Sequence, residues 1–128
     1  MVENMQRQDV LDCLAALANE TRLDIMRFLV PHGTTGAPAG QIAQQIAVSA
    51  SRLSFHLNVL EQAGLVSPER KGRMVFYSAR PARLGGTIGY LLSDCCGDDP
   101  GVRSCCLNVM THRAVTPQAK PFNLPLEE

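Results

Sequence analysis

The feature that most constrains the fold of this chain is the spacing of apolar residues between positions 41 and 79. Residues 41–47 place two isoleucines four positions apart, and residues 49–64 carry leucines at intervals of three and four, so both segments predict helices with one buried face. Ser49 is a strong N-cap for the second helix, and Gly64 suits the position just after its end. Two short helices joined by so brief a turn form a helix-turn-helix pattern.

A short β-hairpin is predicted directly after the second helix. Residues 65–70 and 73–79 alternate apolar and polar side chains, which is the spacing of strands, and Lys71 and Gly72 provide the turn between them. Pro68 has no N–H to donate, so it belongs at a sheet edge or near the end of its strand. The period of the apolar residues thus changes after Gly64 from that of a helix to that of β-strands. The tip of the predicted hairpin is basic.

The remaining elements are predicted to be helices and loops. Residues 7–18 place apolar side chains on one stripe of a first helix, and Asn19 is a candidate N-cap for a second. Residues 31–40 contain three glycines and two prolines and predict a loop around a short extended segment. Pro81 suits the first turn of a last helix that ends near residue 93. The expected fold class is mainly α with a small β-hairpin.

The formal net charge of zero conceals an asymmetry along the chain. Residues 1–48 carry three Lys/Arg against five Asp/Glu, residues 49–83 carry six against two, and residues 84–128 again carry three against five. A basic centre between acidic ends is expected where only the middle contacts a polyanion such as DNA. A solvated basic surface without a partner is the alternative.

Length and composition narrow the class of protein. The 128 residues suffice for one domain with tails, and so small a core often needs a partner subunit. No apolar run approaches the roughly 20 residues of a membrane span, and the polar N-terminus lacks a signal-peptide profile. We therefore expect a cytoplasmic protein without membrane association, whose thiols stay reduced. We expect no enzyme, because there is no C-x-x-C motif, Ser/His/Asp grouping or phosphate-binding glycine loop.

The second helix of the motif is predicted to present a polar face to DNA. If its leucines face the core, hydroxyl, amide and guanidinium groups point outward, where they can bind bases and phosphates, and Phe55 can contact a thymine methyl. His56 lies nearer the buried stripe, so a packed histidine is the alternative to a DNA contact. Cations at the hairpin tip are expected to neutralise phosphates or enter a minor groove. The outward residues are Ser51, Arg52, Ser54, Phe55 and Asn58, and the tip cations are Arg70, Lys71 and Arg73.

Residues 51–79, SRLSFHLNVLEQAGLVSPERKGRMVFYSA, resemble the recognition helix and wing of the ArsR family of metal- and metalloid-responsive repressors. The LSxHL core, the AGLV junction and the RxGR-to-Tyr wing occur in that order and spacing. The resemblance implies a winged helix-turn-helix homodimer, paired through its first and last helices, that binds a palindromic operator and releases it when an inducer binds. Phe55 departs from the family's pattern, in which a charged or polar residue is frequent, and this affects base preference rather than DNA binding.

Matching that pattern adds Ser49 to the DNA-binding candidates. The recognition-helix positions of the family correspond to Ser49, Ser51, Ser54 and Asn58, and the wing positions correspond to Arg70 and Arg73. The full candidate set is Ser49, Ser51, Arg52, Ser54, His56, Asn58, Arg70, Lys71 and Arg73.

Four of the five cysteines form the adjacent pairs Cys95-Cys96 and Cys105-Cys106. Thiolates select soft, thiophilic ions. Trivalent arsenic and antimony form three bonds to sulfur, and methylated arsenic needs only two. The intervening GDDPGVRS predicts a flexible, turn-rich loop that can bring a third thiolate from Cys105 or Cys106 to the first pair. We therefore expect all four cysteines to be candidate ligands for an As(III) or Sb(III) inducer, with no cofactor needed for DNA binding.

The family resemblance is compatible with this site. Two ligand-binding sites that are common in the family are absent here. Residues 41–47 contain no cysteine, and residues 81–93 contain no histidine. Some arsenic-responsive members resemble this chain in carrying adjacent cysteines just after the last helix. The expected organisation is a DNA-binding and dimerisation domain over residues 1–93, a ligand-binding segment over residues 94–106 and a mobile tail over residues 107–128.

Other interpretations of the cysteines stay open at this point. Zinc accepts four cysteines, although its structural sites usually use C-x2–4-C spacing, and cadmium and lead accept the same soft donors. A reversible disulfide across the pairs would make a redox or persulfide sensor. A purely structural cluster and a metalloid-binding storage protein with an incidental winged fold are further alternatives. Cys13, alone on the first helix, is expected to be a small core residue.

Overall fold

The computed structural model describes residues 5–113. The chain divides into two compact units, Met1–Leu91 and Leu92–Glu128, called the first and second units below. Within residues 5–113, no helix is both long enough and apolar enough to cross a membrane. Residues 114–128 of the predicted tail lie outside the described residues.

Two helices open the first unit, α1 (Arg7–Leu17) and α2 (Glu20–Leu29). The predicted cap of α2 is confirmed, because the Asn19 side chain accepts a hydrogen bond from the backbone N–H of Arg22 at 3.0 Å. This bond satisfies one of the donors that a helix start leaves free. A single 3-10 turn, Val30–His32, follows α2.

The helix-turn-helix consists of α3 (Ala39–Ile46) and α4 (Ala50–Gln62). α3 begins two residues earlier than predicted, because the extended backbone of Pro38 already occupies the N-cap position. Ala47 ends α3 in the left-handed conformation, with φ of 64°. The hydroxyl of Ser49 accepts a hydrogen bond at 3.3 Å from the backbone N–H three residues later, which confirms it as the N-cap of α4.

The predicted hairpin is present, with its turn at Gly72 and Arg73, one residue later than predicted, and it gains a third strand. β2 (Val66–Lys71) and β3 (Met74–Ala79) pair antiparallel, and β1 (Ala37–Pro38) pairs with the other side of β3. β1 is the short extended segment expected within residues 31–40. The order β1-β3-β2 leaves β2 at an edge, where the missing N–H of Pro68 is tolerated.

The core of the first unit is built from all four of these helices and the start of β2. Cys13 is buried on α1, and its thiol donates a hydrogen bond to the carbonyl oxygen of Ala63 at 3.4 Å, so it is the small core residue that was expected. The largest fully buried side chains are those of Ile25, Leu29, Ile42, Leu60, Leu65, Val66 and Cys13.

The last helix of the first unit, α5 (Pro81–Tyr90), packs against α1. Pro81 occupies its first turn as predicted, where the missing N–H costs no hydrogen bond. The guanidinium of Arg83 donates to the carbonyl oxygen of Ala63 at 3.0 Å and lies 3.4 Å from the carboxylate of Asp9. One side chain therefore joins α5 to α1 and to the C-terminal end of α4.

The loop predicted for residues 97–104 is largely wrong, because most of this stretch belongs to a helix. A π-helical segment, Leu91–Cys95, follows α5 in the chain, a turn comes next, and then α6 (Pro100–Arg113) begins. Both cysteines of the second pair lie on α6 rather than in a loop. The helix also includes residues 107–113, which were expected to belong to a mobile tail.

The start of α6 has a local physical cause. The carboxylate of Asp99 accepts a hydrogen bond from the backbone N–H of Val102 at 3.1 Å, as an N-cap residue does, and Pro100 occupies the first helical position. The guanidinium of Arg103 pairs with the carboxylate of Asp98 at 2.7 Å. The Asp-Pro-Gly sequence that predicted a turn is therefore the start of a helix.

Gly36→Ala is expected to destabilise the protein much more than Gly72→Ala. Both glycines have positive φ, +70° and +66°, so an alanine has a similar backbone cost of about 1–2 kcal/mol at either position. At Gly36 the added Cβ would also collide with the carbonyl oxygen of Tyr77, whereas at Gly72 it meets open space. We expect urea unfolding to show a further loss of about 2 kcal/mol for Gly36→Ala. Equal midpoints for the two variants would contradict the close approach of β1 to β3.

Candidate nucleic-acid interface and cysteine pairs

One face of α4 is buried and the opposite face is exposed, as the leucine spacing predicted. Leu53, Leu57 and Leu60 are buried against the core. Such an exposed polar face is the surface that a recognition helix offers to the major groove. The exposed residues on α4 and at its N-cap include the predicted set Ser49, Ser51, Arg52, Ser54, Phe55 and Asn58.

His56 faces the protein interior. It is only 7% exposed, and its Nδ1 lies 3.1 Å from Nη1 of Arg22, which must be the donor because a guanidinium cannot accept. Burial, followed by the positive charges of Arg22 and Arg52, lowers the pKa of His56 below its ordinary value, so the ring is neutral near pH 7. This position favours the packed-histidine interpretation over the direct DNA contact.

Sequence reasoning misses Arg22, which organises this part of the structure. Its Nε donates to the carbonyl oxygen of Ala16 at 2.6 Å while Nη1 reaches His56. One half-buried guanidinium on α2 therefore joins the C-terminal part of α1 to α4. One sequence signal could have identified Arg22. It is a cation in the first turn of a helix, a position that the helix dipole disfavours unless other groups bind the side chain.

The cations of the hairpin tip are exposed at the end of two paired strands. Arg70 and Lys71 end β2, Arg73 lies in the turn, and the register pairs Lys71 with Met74. The ammonium of Lys71 lies 4.6 Å from the centre of the Phe76 ring, a cation–π contact that orients it. The tip thus presents three positive charges at the end of a paired hairpin, as predicted.

Cys95 and Cys96 are adjacent in the chain, and their side chains interact. Cys95 ends the π-helical segment and is exposed, and Cys96 begins the following turn and is half-buried. A side-chain hydrogen bond with Cys95 raises the pKa of Cys96, with smaller contributions from burial and from the negative charges of Cys95 and Asp99. An ion that binds both sulfurs must therefore displace a proton from Cys96.

The two cysteine pairs are not gathered into one site. Cys105 is exposed and Cys106 half-buried on α6, where successive side chains point about 100° apart. Among the residues that the structure describes, no group of three or more Cys, His, Asp or Glu side chains is arranged to hold a metal ion. A site with three sulfurs therefore requires the chain between the pairs to rearrange.

Comparison with known proteins identifies relatives of this chain. A family model described as a helix-turn-helix domain matches residues 17–69. The chain is 35% identical over 78 residues to the transcriptional repressor SdpR of Bacillus subtilis (strain 168), covering 61% of this chain and 83% of that protein. It is 32% identical over 91 residues to the arsenical resistance operon repressor of the same organism, with coverages of 71% and 84%. A probable mercury resistance operon repressor of Streptomyces lividans is 30% identical over 95 residues, with coverages of 73% and 72%.

A solved structure agrees with these relatives. An ArsR-like transcriptional regulator from Rhodococcus sp. RHA1 has a TM-score of 0.62 to this chain at 29% identity, covering 80% of this chain and 92% of that one. The fold and the relatives together define a DNA-binding transcriptional regulator of the winged helix-turn-helix class. The chain belongs to the ArsR family, which confirms the resemblance found in residues 51–79.

Protein stability is expected to fall as the pH is lowered through the range in which His56 titrates. Because the pKa of His56 in the folded state lies below the unfolded value of about 6.5, the unfolded chain binds the proton first. Stability from the neutral ring is therefore complete above pH 6.5 and is lost as the pH falls from there to the folded pKa. Urea unfolding between pH 8 and pH 5 should show this loss in the wild type and a smaller one in His56→Gln. His32→Gln is the control, and an unchanged pH profile in His56→Gln would contradict the assignment.

Proposed function

We propose that this protein is a transcriptional repressor that binds operator DNA as a homodimer and releases it when trivalent arsenic binds its clustered cysteines. Arsenite is the principal inducer, with antimonite and methylarsenite as related ligands. The observation that carries the proposal is the pair of adjacent, solvent-accessible thiols of Cys95 and Cys96 in a regulator of the ArsR family. The relative named as an arsenical resistance operon repressor supports the choice of arsenic.

DNA binding is assigned to α4 and the hairpin. α4 lies in the major groove with its exposed hydroxyl and amide groups toward base edges, while Arg52 binds a base or a phosphate. The hairpin tip lies along the adjacent backbone, where its cations neutralise phosphates. Ser49, Ser51, Ser54, Asn58, Arg70, Lys71 and Arg73 complete this interface, and His56 acts through its packing.

The proposed dimer is formed by α1 and α5. Leu11 and Leu14 on α1 and Ile88 on α5 are large apolar side chains that remain exposed in the single chain. Covering them with a second copy would remove this apolar surface from water and place two recognition helices on one side of the assembly. A two-fold dimer reads a palindromic operator whose half-sites lie about one DNA turn apart.

Arg70→Ala is expected to weaken operator binding and to reduce its salt dependence. Each lost phosphate contact lowers the slope of log Kd against log salt by about 1, so a dimer carrying the change twice loses about 2. Fluorescence anisotropy between 50 and 300 mM salt measures this slope. Arg27→Ala is the matched control, because Arg27 is an exposed arginine outside α4 and the hairpin. An Arg70→Ala variant with the same slope as the wild type would contradict a contact between the hairpin tip and DNA phosphates.

The inducer chemistry uses sulfur from both cysteine pairs. Arsenous acid, As(OH)3, exchanges its three hydroxyls for three thiols, forming three As–S bonds and releasing three waters. Cys95 and Cys96 supply two sulfurs, and Cys105 or Cys106 supplies the third. Because the second pair lies on α6, closing the site requires the turn over residues 96–99 or the first turn of α6 to change conformation. Methylarsenite, with two exchangeable hydroxyls, needs only the first pair.

Ligand binding reaches the DNA through the last helix of the first unit. Cys95 ends the π-helical segment that follows α5 in the chain, and α5 belongs to the proposed dimer interface. Rotation of α5 changes the spacing of the two recognition helices. The ligand shifts this equilibrium only by its differential affinity for the two states. A coupling of about 3 kcal/mol lowers operator affinity roughly 150-fold. In this scheme residues 1–93 bind DNA and dimerise, and residues 94–106 bind the inducer.

A repressor that senses another soft metal ion is the second candidate. The relative named as a probable mercury resistance operon repressor favours it, and the same thiols accept mercury, cadmium, lead or zinc. A redox or persulfide signal that joins the pairs through disulfides is a third, less direct reading of the same thiols. Release of the operator by one of these agents at concentrations where arsenite has no effect would select it over arsenic.

Arsenite is expected to release the wild-type protein from a fluorescent operator, and Cys95→Ser and Cys96→Ser should abolish that release. Either change leaves only one sulfur in the first pair, so the proposed site with two sulfurs from that pair can no longer form. Cys13→Ser is the control, because this cysteine is buried in the core and far from the inducer segment in sequence. Arsenic X-ray absorption on the same samples should show three sulfur neighbours in the wild type and fewer in both variants. Unchanged anisotropy of the wild-type complex at saturating arsenite would exclude arsenic as the inducer.

A further inference from the structure

Phe55 is an apolar exception on a polar surface. With 61% of the residue exposed, it is the most exposed large apolar side chain among the described residues, and it lies in the middle of α4. It borders a shallow depression of about 360 Å³ whose other lining residues are Ser51, Arg52 and His56. Because the proposed function places this face of α4 against DNA, binding would remove the apolar surface of the ring from water, which is favourable.

The Phe55 ring is also held in position. It packs edge-to-face against His56, with the ring centres 5.3 Å apart and the planes at 68°. His56 is itself fixed by the 3.1 Å contact with Arg22. A side chain supported in this way loses little conformational freedom when it binds, so its contact can discriminate between similar partners.

The surroundings of the ring indicate the chemistry of its partner. Arg52 lies beside it, and the basic hairpin follows in the same unit, so a polyanion is favoured at this face. In the major groove of DNA, the apolar group that a base edge presents is the C5-methyl of thymine. A phenyl ring offers no hydrogen bond with which to read the other bases.

We infer that Phe55 is a specificity-determining residue that contacts the C5-methyl group of one thymine in each operator half-site. His56, which Arg22 holds in place, supports the ring through the edge-to-face contact. This inference rests on the proposed function, since it needs α4 in the major groove. It adds a residue for base selection, because the polar side chains of α4 cannot recognise a methyl group through hydrogen bonds.

The test uses the full chain and an operator selected from a random duplex library. Each thymine of that operator is replaced in turn by uracil, which removes one methyl group and leaves every hydrogen bond of the base pair intact. We expect one position per half-site where the change weakens binding about fourfold, and about 15-fold when both half-sites carry it. Other thymine positions should show little change. If no thymine is sensitive to this replacement, the inference is wrong.

Variants then assign the effect to the ring. Phe55→Ala should bind the thymine and uracil operators equally, whereas Phe55→Leu, which keeps an apolar contact, should retain part of the preference. Val30→Ala, at an exposed apolar residue outside α4, should behave as the wild type. A full thymine preference in Phe55→Ala would overturn the inference while leaving the repressor function in place. Failure of the selection to yield any salt-sensitive duplex would instead overturn the proposed function itself.

Discussion

α4 has one face buried in the core and one face exposed to solvent. The arrangement of the first unit depends on how the buried face packs. Its buried leucines contribute about 1.5–3 kcal/mol each, which fixes the rotation of the helix about its axis. Because side chains on a helix are fixed relative to one another, that rotation also determines which residues face outward. The Arg22–His56 contact adds a directional polar interaction to this packing. The direction of the exposed side chains of α4 is therefore a consequence of core packing.

In the described part of the second unit, residues 92–113, the interactions are of a different kind. Asp99 caps α6, and the Asp98–Arg103 pair at 2.7 Å links the turn to that helix, but both carboxylates are exposed. Exposed pairs contribute little to stability, and segments with few buried contacts open readily. Under the proposed function this is useful, because three As–S bonds can reorganise a weakly held segment whereas they could not reorganise a packed core.

Much of the fold follows from local signals. The leucine interval identified α4, and Ser49 and Asn19 were recognised as N-caps. The Lys71-Gly72 signal located the hairpin, although the turn residues are Gly72 and Arg73. Each of these signals depends on residues close in sequence. The same local reasoning was wrong for α6, where Asp99-Pro100-Gly101 suits both a turn and a helix start. At α3 it placed the helix start two residues late, since Pro38 and Gly40 resemble loop residues. The candidate site was predictable in its outward residues, while Arg22 was missed because its partners lie six and 34 positions away.

The sequence alone determined the period of each element, the polar face of α4, the basic tip of the hairpin and the chemistry of the four thiols, since these are properties of residue type and spacing. Tertiary structure decided which of those side chains are exposed and which are buried. It turned His56 inward against Arg22 and left Phe55 exposed beside it. The second unit likewise set the cysteine pairs apart, one at the end of a π-helical segment and one on α6. These outcomes depend on contacts between segments and on competing local conformations, which residue spacing does not specify.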